Sequence, residues 1–511
     1  MAQQYAQQER EQWGTRAGFI LAAIGSAIGL GNIWRFPYVA YENGGGAFLV
    51  PYLVALLTAG IPLLILEYTI GHRYRGSPPL SFRRMSRPAE AIGWWQVAIC
   101  FAIAVYYAVI IAWAVRYTGF SIGLQWGEDP NAFLFGEFLQ VADEPGMISS
   151  YVSGVAWPLI AVWVVTLGVL FFGVRRGIER ANKIFIPLLV LLFGALVVRA
   201  VTLDGADIGL NALFTPDWSA ITDGAVWIAA YGQIFFSLSV GFGIMITYAS
   251  YLKRRADMTG SALVAGFANS SFEILAGIGV FAAIGFIATA SGVAVNEVAT
   301  EGIGLAFIAF PTIISSLPAA QDLFGVLFFG SLVIAGLSSL ISIVQVVVST
   351  VQDRWGMPRE RAVLLVGGLA AIVSIALFPT GEGLYILDAS DHFINQYGIA
   401  LAALVIVIVV AWVLRRLPSL RDHANVTSAV PLGRWWLVVL GIVTPVMLGW
   451  MMSDSLRTEF DANYGDYTTG FLLLTGWGVA IAAIVFGLVM SRFRWRASEV
   501  EPAVGIEEGS R

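Results

Sequence analysis

Stretches of about 20 apolar residues recur along the whole chain, and no other feature constrains the fold as strongly. A helix needs about 20 such residues to cross a bilayer. Backbone groups in lipid must be hydrogen-bonded within the protein, which favours helices for stretches of this length. We therefore expect roughly twelve membrane-spanning helices. They are predicted near residues 14–41, 45–71, 92–124, 154–174, 183–203, 222–251, 259–291, 322–352, 361–379, 384–414, 435–453 and 469–491.

Composition supports an all-α, polytopic membrane protein. The 511 residues are 58% hydrophobic and 12% charged, about half the charged fraction of a soluble domain. We expect a short cytoplasmic segment at 1–12, one transmembrane domain at 13–491 and a disordered cytoplasmic tail at 492–511.

The basic residues predict how the chain is oriented in the membrane. Short cytoplasmic loops collect Lys and Arg, and most of the 29 basic residues lie in alternate loops and at the two ends. The remaining loops carry acidic residues such as Glu128, Asp129 and Glu144. We therefore expect a multi-pass protein of the cell membrane with both termini in the cytoplasm. The basic segments are 72–87, 175–183, 253–255, 354–361, 415–434 and 492–511.

Several functional classes find little support. Cys100 is the only cysteine, so no disulfide forms within the chain. His72, His392 and His423 are far apart in sequence and have no Cys partners, which argues against a zinc site. The basic clusters adjoin membrane spans, which argues against a nucleic-acid partner. A nucleophile–base set for an enzyme is not apparent, and the polar start lacks the pattern of a cleaved signal peptide, so the first span is expected to act as an uncleaved signal.

Two loops on the acidic side are expected to be ordered. The segment 125–153 is acidic and aromatic, and we expect it to cap the outer face. The segment 292–321, which contains Pro311 and Pro318, is expected to fold as short helices over an outer vestibule.

Glycine interrupts the first and sixth predicted spans. The sequences are GSAIGLGN at 25–32 and SLSVGFG at 237–243. Unwound backbone in hydrocarbon is stable only where its polar groups line a cavity or bind something. Small residues also serve tight helix packing, but two breaks, each in the first span of a five-span half, favour a binding site at the membrane midplane.

These segments resemble the neurotransmitter:sodium symporter family, including its bacterial and archaeal amino-acid transporters of the LeuT type. The resemblance rests on WGTR at 13–16, GLGNIWRFP at 29–37, ENGGGAF at 42–48, VWIAAYGQIFFSLS at 226–239, YASY at 248–251 and AGLSS at 335–339. It implies a fold with helices 1–5 and 6–10 as inverted repeats, helices 1 and 6 broken at the midplane, and alternating access.

The resemblance also implies two sodium sites. The first would use Ala27, Asn32, Ser237 and Asn269, completed by the substrate carboxylate. The second would use carbonyls of Gly25, Ile28 and Ala335 with the hydroxyls of Ser338 and Ser339. Neutral oxygen ligands suit a hard cation of single charge. Considered alone, the two hydroxyls would be interpreted as bonding back to their own helix.

For the substrate, the resemblance implies a pocket between the two breaks. Tyr107 and the amides near Leu30 and Gly31 would bind a carboxylate. Monoamine carriers of the family have an aspartate where this chain has Gly29, so the substrate here should bring its own carboxylate. The expected pocket residues are Ser26, Ala27, Leu30, Gly31, Ile103, Tyr107, Phe236, Ser237, Ser239, Phe242, Ser339 and Ile343.

Charged residues at membrane depth are costly, and the resemblance interprets them as gates. The outer gate would comprise Arg35 and Asp391 above Tyr107 and Phe236. The inner gate would pair Arg10 with Asp353, supported by the residues Trp13, Ser250, Tyr251 and Gln345. The alternative is a static ion pair or a snorkelling arginine.

Glu273 lies four residues after Asn269, on the same helical face. Chloride-dependent members of the family have a small hydroxyl residue at this position. We therefore expect a chloride-independent transporter in which the Glu273 carboxylate replaces chloride, with proton transfer on the return step left open. A permanently protonated, hydrogen-bonded carboxyl is the simpler alternative.

The expected function is sodium-coupled symport of a neutral, apolar amino acid. A carrier of another small carboxylate or zwitterion, such as a short amino acid or betaine, is the alternative. A binding-only receptor would not need an inner gate. The sequence leaves the individual amino acid, the sodium stoichiometry and the choice between monomer and homodimer open.

Overall fold

The computed structural model describes residues 10–146, 150–299 and 302–495, and this part of the chain is almost entirely helical. Its only β-type pairings are two isolated bridges, Gly45 with Pro216 and Tyr151 with Thr380. The expected tail beyond Trp495 and residues 1–9 of the N-terminal segment lie outside the described residues.

We number eighteen of the helical segments in chain order, and name the shorter helical turns by their residues. Ten are long and apolar enough to cross a membrane. The bounds are α1 Arg16–Ala27, α2 Leu30–Glu42, α3 Gly46–Tyr74, α4 Pro78–Met85, α5 Arg87–Phe120, α6 Ser153–Phe171, α7 Val174–Ala200, α8 Ala206–Phe214, α9 Gly224–Ser237, α10 Ile244–Ser250, α11 Met258–Ser291, α12 Gly302–Ser316, α13 Gln321–Trp355, α14 Arg359–Leu377, α15 Gly383–Val413, α16 Leu417–Asn425, α17 Arg434–Asp466 and α18 Thr469–Met490.

Two further crossings are broken where the sequence predicts. Helices α1 and α2 together form one span, bent by 58° at a short break. Helices α9 and α10 lie on either side of residues 238–243, where Ser239, Gly241 and Gly243 adopt positive φ angles of 53°, 97° and 84°. Glycine adopts such angles without strain, whereas Ser239 does so at a cost. Within the described part of the chain, the bent pair α1/α2 brings the spans that meet the length and composition criterion to eleven. Helix α9 is too short to meet it, and we interpret α9 with α10 as the twelfth expected crossing.

The broken spans lie among enclosed helices. The most apolar windows of α13 and α5 are 83% and 78% buried within the protein, while that of α7 is only 28% buried. Helices α5 and α13 therefore form the centre of the bundle, and α7 exposes most of its surface to lipid.

The two loops on the acidic side are ordered, as predicted. Residues Pro130–Ala132 and Phe133–Phe138 are helical, and Trp126 donates from Nε1 to Ser315 Oγ at 2.9 Å. The stretch 292–321 contains the short helix Val295–Val298 and helix α12. The ring of Tyr117 at the end of α5 contacts both loops, with centroids 5.7 Å from Phe138 and 4.9 Å from Phe307.

Two helices differ in length from the prediction. Helix α7 begins at Val174 rather than near 183, because its basic first turns continue the helix beyond the apolar stretch. Helix α17 continues to Asp466 rather than ending near 453. In both places polar residues extend a helix past the apolar window, which a hydropathy criterion does not detect.

Candidate functional site

The break between α1 and α2 presents carbonyl oxygens to α13. Ile28 and Gly29 are extended, so the carbonyls around them leave the helical hydrogen-bond pattern. Ser339 Oγ lies 3.4, 3.3 and 3.5 Å from the carbonyl oxygens of Gly25, Ser26 and Ile28. Its neighbour Ser338 donates to the Ala335 carbonyl at 2.8 Å. Ser339 thus lies beside the Gly25 and Ile28 carbonyls of the expected second sodium site, whereas Ser338 bonds back to Ala335 of its own helix.

A chain of buried amides links the two breaks. Asn32 Oδ1 accepts from Gly29 N at 2.9 Å, and Asn32 Nδ2 donates to Asn269 Oδ1 at 2.9 Å. Asn269 Nδ2 in turn donates to Ser237 Oγ at 2.8 Å. Asn32, Asn269 and Ser237 are each at most 5% exposed. Together with Ala27 at the end of α1, these are the residues expected at the first sodium site.

Glu273 lies one helical turn from Asn269 and is completely buried. Its carboxylate accepts from Gln233 Nε2 at 2.6 Å and from the hydroxyl of Tyr52. Burial of a carboxyl is costly unless hydrogen bonds compensate it, and these two donors provide that compensation. Tyr52 and Gln233 were missed by the sequence reasoning, because nothing in their spacing links them to Glu273.

All twelve expected pocket residues line one cavity of about 190 Å³ between the breaks. Tyr107 Oη accepts from the Leu30 backbone N–H at 3.4 Å, and Ser239 Oγ donates to the Ser26 carbonyl at 2.8 Å. The aliphatic and aromatic side chains of Ile103, Phe242 and Ile343 form an apolar part of the same wall. The polar groups around the break between α1 and α2 form what we call the polar end of the cavity, and apolar side chains line other parts of the same wall.

Gly29 keeps the polar end of this cavity open. A Cβ atom at this position would lie 3.2 Å from Tyr107 Oη and 3.3 Å from Ser339 Oγ. Both distances are tight, so a larger side chain would enter the space in front of the two hydroxyls. That space stays open only while position 29 has no side chain.

Three side chains bond to the unwound backbone between α9 and α10. Glu67 accepts from Gly241 N at 2.9 Å, Gln96 Nε2 donates to the Gly241 carbonyl at 2.8 Å, and Cys100 Sγ donates to the Phe242 carbonyl at 3.1 Å. All three are fully buried. They satisfy backbone groups that the break would otherwise leave unpaired. The acid of Glu67 within an apolar span was the available signal, and the sequence reasoning missed it.

A larger cavity of about 590 Å³ adjoins the first one on the acidic side. Arg35, Phe236 and Asp391 line both cavities. The Arg35 guanidinium lies over the Phe236 ring, 4.2 Å from its centroid. Three of the four residues expected at the outer gate thus lie where the two cavities meet, and the fourth, Tyr107, lines only the smaller cavity.

On the basic side the same region is closed. Arg10 Nη1 bonds both oxygens of Asp353, at 2.7 and 3.0 Å, and Arg10 Nε donates to Ser250 Oγ at 3.0 Å. Burial acts to lower the pKa of Arg10, but the Asp353 carboxylate outweighs it, so the pKa is raised. Arg10 remains charged at any physiological pH.

Aromatic residues complete this closure. Trp13 Nε1 donates to the Tyr248 carbonyl at 2.8 Å, and Trp13 N donates to the Tyr251 carbonyl at 3.1 Å. Gln345 Nε2 donates to Tyr251 Oη at 2.8 Å. The six residues expected at the inner gate therefore form one connected cluster.

Arg359 belongs to this cluster, although the sequence reasoning missed it. It donates from Nη2 to Gln345 Oε1 at 2.6 Å and pairs with Glu11 at 3.3 Å. Only 7% of its side chain is exposed. In the sequence it is one of many arginines in the basic loops, so nothing distinguishes it there.

The structure also brings together two histidines that are 351 residues apart. His72 Nδ1 and His423 Nε2 are 2.9 Å apart, and His72 Nε2 lies 3.0 Å from the Lys253 carbonyl. The distance between these two histidines in the sequence therefore does not predict their distance in the folded protein, where their rings are adjacent. Burial and the neighbouring His72 lower the pKa of His423 to about 4.

Comparison with known proteins agrees with this architecture. The profile of the Sodium:neurotransmitter symporter family matches residues 10–144 and 128–498. An uncharacterized sodium-dependent transporter of Methanocaldococcus jannaschii is 43% identical over 93% of this chain and 96% of its own length.

Two further relatives have more specific names. The sodium-dependent serotonin transporter of Drosophila melanogaster is 32% identical over 86% of this chain and 75% of its own length. The crystal structure of MhsT in complex with L-phenylalanine superposes with a TM-score of 0.73 and 32% identity, covering 87% of this chain and all of that one.

Membership follows from the extent of these matches, which span both broken helices and nearly all described residues. The protein is a sodium-dependent transporter and not an enzyme, with sodium and a small molecule as the species it carries. The chain belongs to the Sodium:neurotransmitter symporter family and is a multi-pass membrane protein of the LeuT-type fold.

Proposed function

We propose that this chain carries a neutral, apolar amino acid into the cell, coupled to two sodium ions and independent of chloride. The observation that carries the proposal is the cavity between the helix breaks, whose wall combines hydroxyl and amide groups with apolar side chains. A zwitterion with an apolar side chain matches both kinds of group.

The polar end suits a carboxylate. The Leu30 N–H and the Tyr107 hydroxyl both lie at this end, beside the open space at Gly29. The N-terminus of α2 starts here, and helix N-termini favour negative charge. A serotonin-like amine has no carboxylate to fill this space, so the likeness to the Drosophila protein does not extend to its substrate. MhsT, which binds L-phenylalanine in its crystal structure, offers the closer analogy.

The cavity size favours a medium-to-large side chain. A space of about 190 Å³ bounded by Ile103, Phe242 and Ile343 exceeds what glycine or alanine would fill. An unfilled part of an apolar pocket forfeits dispersion and burial energy, about 0.8 kcal/mol for each missing CH₂. Short amino acids are therefore the weaker candidates, and betaine, whose methyl groups are on the charged nitrogen, has no apolar side chain for this wall.

The two sodium sites are proposed at the oxygen clusters described above. At the first, Asn32, Ser237 and Asn269 provide neutral oxygens, and the substrate carboxylate would complete the ligand set. This arrangement couples the two species, because each improves the site of the other. At the second, the hydroxyls of Ser338 and Ser339 would turn from their present carbonyl partners to a cation.

Alternating access would use the two closures in turn. In this structure Arg10 is bonded to Asp353, and the 190 and 590 Å³ cavities adjoin on the opposite, acidic side. We place the acidic side outside and both termini in the cytoplasm, because the basic loops lie on the side of the Arg10 cluster. Substrate and sodium would enter past Arg35 and Asp391, and release would require the Arg10 cluster to open.

Binding of a radiolabelled amino-acid panel to purified protein tests the proposal. In chloride-free sodium buffer, leucine-, methionine- and phenylalanine-like substrates should bind saturably, while glycine and betaine bind much more weakly. Replacing sodium by potassium should abolish binding. Equal binding in both buffers would contradict the two sodium sites, and preferential binding of betaine would contradict the substrate class.

Two substitutions at Glu273 test chloride independence. Glu273→Ser removes the carboxylate and leaves space, so chloride should restore sodium-dependent binding. Glu273→Gln removes the charge but keeps the volume, so chloride should not restore it. If Glu273→Ser binds substrate equally with and without chloride, the proposed role of the carboxylate is wrong.

A further inference from the structure

A third cavity, separate from the transport path, lies at the cytoplasmic end of α7. It has a volume of about 410 Å³ and is bounded by the start of α1, at Gly14 and Thr15, and by the first turns of α7. Four cationic side chains and one carboxylate line it. They are Arg175, Arg176, Arg180, Lys183 and Glu179.

The single carboxylate is already engaged by other groups. Glu179 accepts from Gly14 N at 2.6 Å, from Thr15 Oγ1 at 2.9 Å and from Lys183 Nζ at 2.7 Å. Its side chain is only 3% exposed. Four cations against one carboxylate therefore leave a strong excess of positive charge around the cavity.

The three arginines carry that excess. Arg175, Arg176 and Arg180 are all exposed. Within the part of the chain that the structure describes, none of the three forms an ion pair or hydrogen bond through its side chain. Arginine binds phosphate well, because its planar guanidinium can donate two parallel hydrogen bonds to phosphate oxygens.

Next to the cavity, α7 presents an apolar strip to the lipid. Ile184, Leu188 and Leu191 are 62%, 38% and 66% exposed, and their spacing places them on one helical face. Arg180 lies one turn before Ile184 on the same face. A basic cavity is thus continuous with a surface that acyl chains contact.

We propose that this cavity binds the headgroup of an anionic phospholipid, with the phosphate among the three arginines and the acyl chains along the α7 strip. The general excess of basic residues on cytoplasmic loops accounts for the positive charge of these arginines. It does not account for an enclosed volume next to an apolar strip. Basic pockets between membrane helices on this side are typical sites for such headgroups.

The bound lipid would contact two elements that already pack against each other. One wall is the start of α1, directly after Trp13 of the inner closure, and the other is α7. A lipid in contact with both walls would stabilise the closed inner side. The proposal itself does not depend on which amino acid is transported.

Native mass spectrometry of delipidated protein tests the site, with phosphatidylglycerol, phosphatidylcholine and inorganic phosphate as the three probes. The test variant is Arg175→Gln/Arg176→Gln/Arg180→Gln. A matched control, Arg361→Gln/Arg416→Gln/Arg434→Gln, removes three exposed arginines elsewhere on the basic side. A lysine triple at 175, 176 and 180 retains the charge, and a melting curve of every variant verifies that it is folded.

Wild-type protein should bind phosphatidylglycerol in preference to phosphatidylcholine. The glutamine triple should lower that affinity roughly 100-fold, from about fivefold for each basic residue near the surface. The control should stay within a few-fold of wild type, and the lysine triple, which keeps the charge but not the paired hydrogen bonds, should lie between wild type and the glutamine triple. Equal losses in the test and control variants would overturn the site in favour of diffuse charge. Displacement of the lipid by millimolar inorganic phosphate would assign the cavity to free phosphate instead.

Discussion

Neutralising Asp353 should open the basic side of the protein. Asp353 accepts two bonds from Arg10 Nη1 and one from Ser77 N at 2.6 Å, so a single carboxylate joins the N-terminal segment, the start of α4 and the end of α13. Asp353→Asn retains the shape and one acceptor oxygen but removes the charge. The side chains of Arg10 and Asp353 are 21% and 14% exposed, so water screens the pair only partly.

These exposures set the expected magnitude. Exposed ion pairs contribute at most about 1 kcal/mol, and breaking a fully buried pair costs about 3–5 kcal/mol. A value of about 2 kcal/mol is appropriate for a pair of intermediate exposure. That corresponds to a change of roughly 30-fold in the ratio of closed to open protein. The inward-open population should rise by this factor, and outward-facing binding of sodium and substrate should weaken.

Alkylation of an introduced cysteine measures the opening. Cys100 is the only native cysteine, and Cys100→Ser keeps a donor for the Phe242 carbonyl. In that background Ser349→Cys places a reporter on α13, one turn before Asp353, at a position that is 1% exposed. Asp353→Asn should speed its alkylation by a membrane-permeant maleimide in potassium buffer by about 10- to 30-fold.

The control is Asp422→Asn, because Asp422 pairs with Arg421 on the same side but is 65% exposed. Its effect should be close to zero. Exchanging the charges, Arg10→Asp with Asp353→Arg, should slow the alkylation again. If Asp353→Asn and Asp422→Asn react at the same rate, the Arg10–Asp353 pair does not hold the inner side closed.

Three further predictions concern the sodium site, the substrate site and pH. Ser339→Ala should raise the sodium concentration for half-maximal binding by about tenfold. Ser342→Ala should leave it unchanged, because the Ser342 hydroxyl bonds back to the Ser338 carbonyl. Equal effects of the two substitutions would show that Ser339 is not part of the sodium site. Tyr107→Phe should weaken amino-acid binding about tenfold, because the substrate carboxylate loses the Tyr107 hydroxyl as a hydrogen-bond donor. Tyr117→Phe in the outer aromatic cluster serves as the control. An unchanged dissociation constant for Tyr107→Phe would contradict the carboxylate site. Because the folded-state pKa of His423 is lowered to about 4 from an ordinary value near 6.5, its contribution to stability is complete above about pH 6.5 and is lost as pH falls toward 4. Between pH 7 and 5 the wild type should therefore lose roughly 1 kcal/mol more stability than His423→Gln, after allowance for partial exposure. Melting temperatures at the two pH values measure this difference, and identical falls in wild type and variant would refute the contribution of His423.

The fold could be predicted largely because lipid imposes a simple rule on the sequence. Apolar stretches of the required length predicted twelve crossings, and glycine within two of them predicted the breaks that TM helices α1/α2 and α9/α10 show. The expected ends of α7 and α17 were wrong, because Arg175 and Asp461 lie in helical turns outside the apolar windows.

Most site residues were predicted through the resemblance to the family. It led to twelve of the residues that line the 190 Å³ cavity, which a residue-by-residue reading would have assigned to packing. Partners contributed by single residues elsewhere could not be found. Glu67 on Gly241, Arg359 on Gln345 and His72 on His423 are contacts between distant segments, and only the packing of helices brings them together.

Uptake into proteoliposomes tests the central claim, sodium-coupled symport, most directly. Purified protein would be reconstituted in chloride-free buffer, and a radiolabelled apolar amino acid would be supplied with or without an inward sodium gradient. The account predicts accumulation above the equilibrium level only with the gradient, and its collapse when a sodium ionophore is added. Equilibration at the same rate and to the same level without sodium would contradict it and would indicate a uniporter on this fold.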